Sequence, residues 1–339
     1  MYYIGSLFGE AFLDKNKRIE SYDFIEKFIS EEHLDWSTPP DTLIVVDKFL
    51  DRLAKMSDQE FAFLLTHSGY IPETYKADSS QETLYSKLIE TLILEWAKRI
   101  GFENSTLPRQ KSSMEDISII DDTYVIVCDS KSFRLGRSQA APNVKDVLKH
   151  ADIAKWLSAH HNHIRLGGLI TFPSQHDWKK GSDYYQYLTD TESPTLSLYY
   201  EHLAYILLFK INKSALINFY KSHANIFPEK ISNKLENKQI YHKGLIENLF
   251  SCGSDKWHIF DVSAQKIISE MVYHTVYDLN NHISNTKDLI SEKYRTETDI
   301  ELLRKYVIES ESRRATEQLS QQTDRISRFR TVAQDYHEE

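Results

Sequence analysis

The stretch VIVCDSKSFRLGR, Val125 to Arg137, runs from apolar residues straight into a carboxylate, Asp129, and two positions later into an ammonium, Lys131. In a strand, alternate side chains share a face, so Asp129 and Lys131 project together from the end of a strand built by Val125 and Val127. If the preceding DISII segment pairs with this strand through a turn at Asp121 to Thr123, Asp116 comes to lie beside Asp129. Two carboxylates about 4 Å apart repel by roughly 4 kcal/mol at an effective dielectric of 20, and a divalent cation reverses the sign. Mg2+ prefers hard oxygen ligands, takes one or two carboxylates and leaves its other positions to water and phosphate oxygens. The chemistry implied is phosphodiester hydrolysis. Asp116, Asp129 and the carbonyl oxygen of Ser130 are the expected metal ligands, and Lys131 stabilises the pentavalent phosphate or orients the attacking water. A plain salt bridge between Asp129 and Lys131 is the structural alternative, since such a pair is common at strand ends.

Local charge favours the first reading. The chain carries a net charge of −9, yet from Asp129 to Lys149 five basic residues (Lys131, Arg134, Arg137, Lys145, Lys149) face two acids (Asp129, Asp146). An acidic body with a basic groove is compatible with nucleic-acid binding. Ser132, Arg134, Arg137, Ser138 and Lys145 follow the catalytic strand, carry suitable donors and are the expected DNA contacts. A solvated basic loop is the alternative.

The elements that must position these residues are legible in outline. DTLIVVDKFLDRLAKM from Asp41 has helical apolar spacing, and SDQE (Ser57 to Glu60) is a capping-box pattern opening a second helix. SSQE (Ser79 to Glu82) opens the clearest helix, with Leu84, Leu88, Leu92 and Trp96 at four-residue steps and Gly101 as its stop. DISII and TYVIVC are short, β-branched and apolar, a hairpin buried on both faces. RLGGLITFPS from Arg165 supplies another strand, and TLSLYYEHLAYILLFKI a strand feeding a helix, so the sheet has at least four strands. Beyond Val262 the apolar spacing is helical again. The expected fold is α+β, a mixed central sheet flanked by helices. Pro39-Pro40 sets off residues 1–40 as an N-terminal appendage, residues 41–262 form the core, and residues 263–339 a helical C-terminal layer. The polar terminal segment from Arg313 reads as a solvated helix or a partner-binding one. With 41% hydrophobic and 27% charged residues the composition is that of a globular protein. Two cysteines build no disulfide framework, no apolar run approaches a membrane span, and no signal peptide is evident, so a cytoplasmic location is expected.

DSKSFRLGR, preceded by GYIPETYKADSSQETLYSK (Gly69 to Lys87) and followed by YYEHLAYILL (Tyr199 to Leu208), resembles the HindIII family of Type II restriction endonucleases, from about Asp41 to near the C-terminus. The resemblance implies a PD-(D/E)XK core, a homodimer, Mg2+ as cofactor, and cleavage of double-stranded DNA at a short palindrome, AAGCTT or a related site. It also implies a cognate DNA methyltransferase in the host. The family's acids fall on Asp116 and Asp129 and its lysine on Lys131; Glu82 matches a family position, as an accessory acid or simply a capping residue. Two departures stand out. Glu115 takes the place of the motif's proline, and the hairpin is about two residues short. A twofold dimer places one active site on each strand of a palindrome, and the helical last third is the expected interface. A sequence-independent or structure-selective repair nuclease of the same core, and an inactive DNA-binding protein, are the alternatives. HHNH, His160 to His163, suggests an HNH nuclease, but the further ligands of that unit are missing, and a solvated or backbone-bonded histidine cluster is expected instead.

Overall fold

The computed structural model describes residues 2–108, 114–137, 144–174, 182–189, 193–227, 233–251, 254–295 and 300–327. Three short helices open the chain: α1 (Tyr2–Phe8), α2 (Lys15–Tyr22) and α3 (Phe24–Glu32). Next come α4 (Thr42–Leu53), α5 (Asp58–His67) and α6 (Ser80–Arg99). The hairpin of β1 (Ile117–Ile120) and β2 (Tyr124–Ser130) leads through α7 (Val144–Val147) and α8 (His150–Ala159) to β3 (Ile164–Phe172). The chain continues with α9 (Tyr184–Thr189), β4 (Thr195–Tyr199), α10 (Tyr200–Leu208), α11 (Lys213–Lys221), α12 (His223–Ile226) and α13 (Lys234–Gly244). Two long helices close it, α14 (Ser254–Tyr294) and α15 (Glu301–Ile326). No helix among the described residues is long and apolar enough to cross a membrane.

The fold is α+β, as expected. The sheet runs β1-β2-β3-β4, with β1 antiparallel to β2 and the other pairs parallel. Ile117 faces Cys128 and Ile120 faces Val125, so the hairpin turns at Asp121 to Thr123. The Asp121 carboxylate fixes that turn by accepting the backbone N–H groups of Thr123 and Tyr124. Both faces of β2 are covered, which is why its sequence is continuously apolar rather than alternating. The long helix α6 buries Leu84, Leu88, Leu92 and Trp96 against the core, and the Trp96 indole donates to the Leu203 carbonyl at 3.0 Å.

Capping follows the expected chemistry at α5, where Ser57 and Glu60 form a reciprocal box. At α6 only half of it forms. Ser79 Oγ accepts the Glu82 N–H, while the Glu82 carboxylate turns to the Asp78 N–H at 2.7 Å and to Arg134 at 3.2 Å.

The first 40 residues pack into the same core as the sheet, through Ile4, Phe8, Phe12, Phe28 and Ile29. The buried Arg18 guanidinium bonds both oxygens of Glu270 on α14 and the carbonyls of Phe12 and Leu13. His274, also on α14, lies between Asp23 at 2.7 Å and Asp278 at 3.0 Å. The hydrogen bond to Asp23 holds the imidazolium above the usual histidine range, against the opposing effect of burial. Helix α14 runs unbroken through residue 262. Helix α15 packs along α14 with Ile326 fully buried, and its described part is therefore more than a solvated appendage.

Gly167 and Gly168 let other elements approach β3 closely. Gly167 has φ +155°, and a Cβ there would stand 2.0 Å from the backbone oxygen of Pro194. Neither the strand nor a proline backbone yields easily, so Gly167→Ala is expected to destabilise the fold by about 2 kcal/mol, combining overpacking and backbone strain. Chemical denaturation checks this; an unchanged midpoint would show that the strand shifts freely.

Candidate active site

Antiparallel pairing carries the start of β1 to the end of β2. The Asp116 N–H donates to the Cys128 carbonyl at 2.9 Å, and the Ser130 N–H donates to Asp116 Oδ2 at 2.8 Å. Asp116 and Asp129 thereby come within hydrogen-bonding reach of each other. Lys131 leaves the strand on the same side as Asp129, and its ammonium donates to Asp129 Oδ1 at 2.8 Å and forms an ion pair with Oδ2 at 2.7 Å. The three residues expected from spacing converge at one sheet end.

Backbone fixes this end of the sheet. The Lys131 N–H donates to the Thr171 carbonyl on β3, and the Tyr200 hydroxyl donates to the Lys131 carbonyl at 3.1 Å while lying 3.2 Å from Ser130 Oγ. Burial, then the charges of Glu90 and Asp129, push the Asp116 carboxyl up to about 8. Glu90, on α6, is a carboxylate that sequence reasoning missed. It follows the apolar stripe that made α6 conspicuous and lies beside Lys87, with which it pairs, so nothing in its local pattern separates it from a surface ion pair.

This donor set suits a hard divalent cation. Asp116 and Asp129 offer carboxylate oxygens, and burial together with the charges of Glu90 and Asp129 raises the cost of ionising Asp116, a cost that a bound cation would offset. A second group, Asp23, His274 and Asp278, also holds ligand atoms within 4.8 Å of one another. There His274 Nε2 already donates its proton between two carboxylates, so that nitrogen has no lone pair to offer, and the group reads as an ion triad joining α14 to the N-terminal helices.

The expected DNA-contacting residues fare differently. The segment after β2 is held by backbone bonds between Phe133 and both Gly69 and Ile71. Glu73 accepts the Gly136 N–H at 2.6 Å, and Leu135 is buried in a cluster with Ile268, Met271 and Val272 of α14 and Ile326 of α15. Arg134 spends its guanidinium on the Pro72 carbonyl and Glu82. Arg137 stacks over Phe133, with its guanidinium carbon 5.5 Å from the ring centroid. Ser132 is partly exposed beside them. Ser138 lies outside the described residues, and so does the side chain of Lys145. The HHNH histidines are neither a metal unit nor merely solvated, for His160 bonds the buried Glu115 at 2.6 Å and His161 receives Arg165.

Residues 41–313 match the HindIII restriction endonuclease family. The chain is also 25% identical over 181 residues to the Type II restriction enzyme HindIII of Haemophilus influenzae, an alignment covering 53% of this chain and 56% of that enzyme. The match thus spans a little over half the length of that relative.

Proposed function

The chain belongs to the HindIII restriction endonuclease family, and from that premise we propose that it is a Type II restriction endonuclease hydrolysing both strands of duplex DNA at a short palindrome. The observation that carries this reading is the convergence of Asp116, Asp129 and Lys131 at the end of β2, inside the matched region.

Asp116, Asp129 and the Ser130 carbonyl would hold Mg2+, with Glu90 adding negative charge behind them. When bound, the cation supplies Lewis-acid polarisation of the phosphate and an acidified water. Lys131 then exchanges its carboxylate partner for a phosphate oxygen and stabilises the charge that builds as the water oxygen bonds to phosphorus and one P–O bond breaks. Tyr200, through the Lys131 carbonyl, fixes the backbone from which that ammonium extends. Glu82 acts less as an acid of this centre than as the anchor of Arg134; Ser132, Arg137, Ser138 and Lys145 are the other proposed DNA contacts.

We assign the active form as a homodimer, each subunit cutting one strand. Tyr273, Tyr277 and Leu289 on α14 and Leu302 and Tyr306 on α15 are exposed apolar groups on the helical layer, and they support it as the interface. In this scheme residues 41–262 carry the nuclease core, residues 1–40 are an addition packed against it, the protein acts in the cytoplasm, and a cognate methyltransferase protects the host DNA. The recognition site is AAGCTT or a relative of it.

Digestion of a fully sequenced plasmid with the purified protein and Mg2+, followed by sequencing of the ends, tests the proposal. Discrete bands ending in one palindrome are expected. A smear would point to a structure-selective or repair nuclease of the same fold, and intact plasmid in both Mg2+ and Mn2+ to a DNA-binding protein without activity.

A further inference from the structure

We infer that His160 is a positioning residue for the metal site, bracing the residue before Asp116; this deepens the reading of Asp116 as a metal ligand and rests on it. Going up the chain from Asp116, burial changes within two residues: Met114 is 39% exposed and Glu115 only 2%. A carboxylate with a fully buried side chain needs partners. Glu115 Oε1 accepts from the Ser118 hydroxyl at 2.7 Å and from His160 Nε2 at 2.6 Å. Burial alone would raise this carboxyl, but the bonds from His160 and Ser118 hold it below the usual range.

The other end of the brace is firmly seated. His160 caps the C-terminus of α8, its N–H donating to the Leu157 carbonyl at 3.2 Å. Arg165, paired with Val125 across β2 and β3, reaches back to the His160 carbonyl and to the His161 ring. A chain of contacts therefore runs from the central strands through Arg165 and His160 to Glu115.

Asp116 has its own restraints downstream, at the Cys128 carbonyl and the Ser130 N–H. These hold the residue from the β2 side of the hairpin. The His160 to Glu115 bond supplies restraint from the other side, so the carboxylate is held where a cation meets it. Partners standing behind metal ligands in this way typically contribute about 10- to 100-fold in metal affinity.

The test is Mn2+ titration of the full chain by calorimetry without DNA, beside the Mg2+ dependence of cleavage, for His160→Ala, His160→Asn and His160→Gln. Alanine and the short asparagine are expected to weaken Mn2+ binding about tenfold and to raise half-saturating Mg2+ equally, with cleavage at saturation within about threefold of the unaltered protein. Glutamine, whose amide N–H reaches farther, should recover most of the loss, and its melting temperature should match the parent. Unchanged metal affinity in the alanine and asparagine variants, whatever their melting temperatures, would overturn the inference, as would a glutamine variant as weak as alanine. Should the parent cut no DNA while His160→Ala still loses Mn2+ affinity, the nuclease reading fails and the brace stands.

Discussion

Replacing Asp129 by alanine is expected to lower DNA cleavage about a thousandfold or more while leaving DNA binding largely intact. Asp129 is 5% exposed and holds the Lys131 ammonium with both oxygens. Its removal takes away one of the proposed metal ligands and also the group that fixes the lysine before substrate arrives. Binding should persist because the substitution deletes a negative charge next to a polyanion, and the basic residues after β2 remain. Single-turnover cleavage of a duplex oligonucleotide, beside a gel-shift assay in Ca2+, separates the two effects. Cleavage at the parent rate would refute the assignment of the active site as a whole.

Cleavage at limiting Mg2+ is expected to rise about tenfold per pH unit from pH 6 toward pH 8, a total near 100-fold, and then to level off. The sign follows from Asp116, whose carboxyl is pushed up to about 8 by burial first and by Glu90 and Asp129 next. In the proposed site its ionised form is the ligand, so protons compete with the cation, and saturating Mg2+ should move the rise to lower pH. Glu90→Gln removes one of the charges and should shift the rise toward acid, only in part because burial remains. Folding shows the converse. With a folded value far above the unfolded one near 3.8, the native state holds a proton that the unfolded chain has lost. Stability from this group is therefore present at low pH and lost as pH climbs from about 4 through about 8. Asp116→Asn should accordingly raise the melting temperature at pH 8 without metal while abolishing cleavage. A pH profile that ignores both Mg2+ concentration and Glu90→Gln would assign the titration to another group.

Much of this was written locally. The period-two placement of Asp129 and Lys131, the turn-forming Asp121, and the apolar strand between them depend on neighbours within a few residues, and such patterns survive in sequence. So did α6, whose stripe is set by helical spacing alone. By contrast, Glu82 satisfied the spacing of a capping box, yet its carboxylate goes to the Asp78 N–H and Arg134. A charged side chain takes the partner that tertiary packing brings, and that partner lay 52 positions away.

The sequence by itself determined the α+β class and the strand at whose end the candidate acids and lysine meet, because each is encoded by side-chain type and local period. Tertiary structure alone decided three other things: that the charge of Glu90 bears on Asp116, that His160 bonds Glu115, and that Arg134 is tied to Pro72 and Glu82. Those contacts join α6 to β1, the turn after α8 to the start of β1, and the segment after β2 to the loop before α6. The reason is one of distance along the chain: which carboxylate lies beside which is settled by how separate elements pack, and Coulomb and hydrogen-bond energies fall off over ångströms in space, not over positions in sequence.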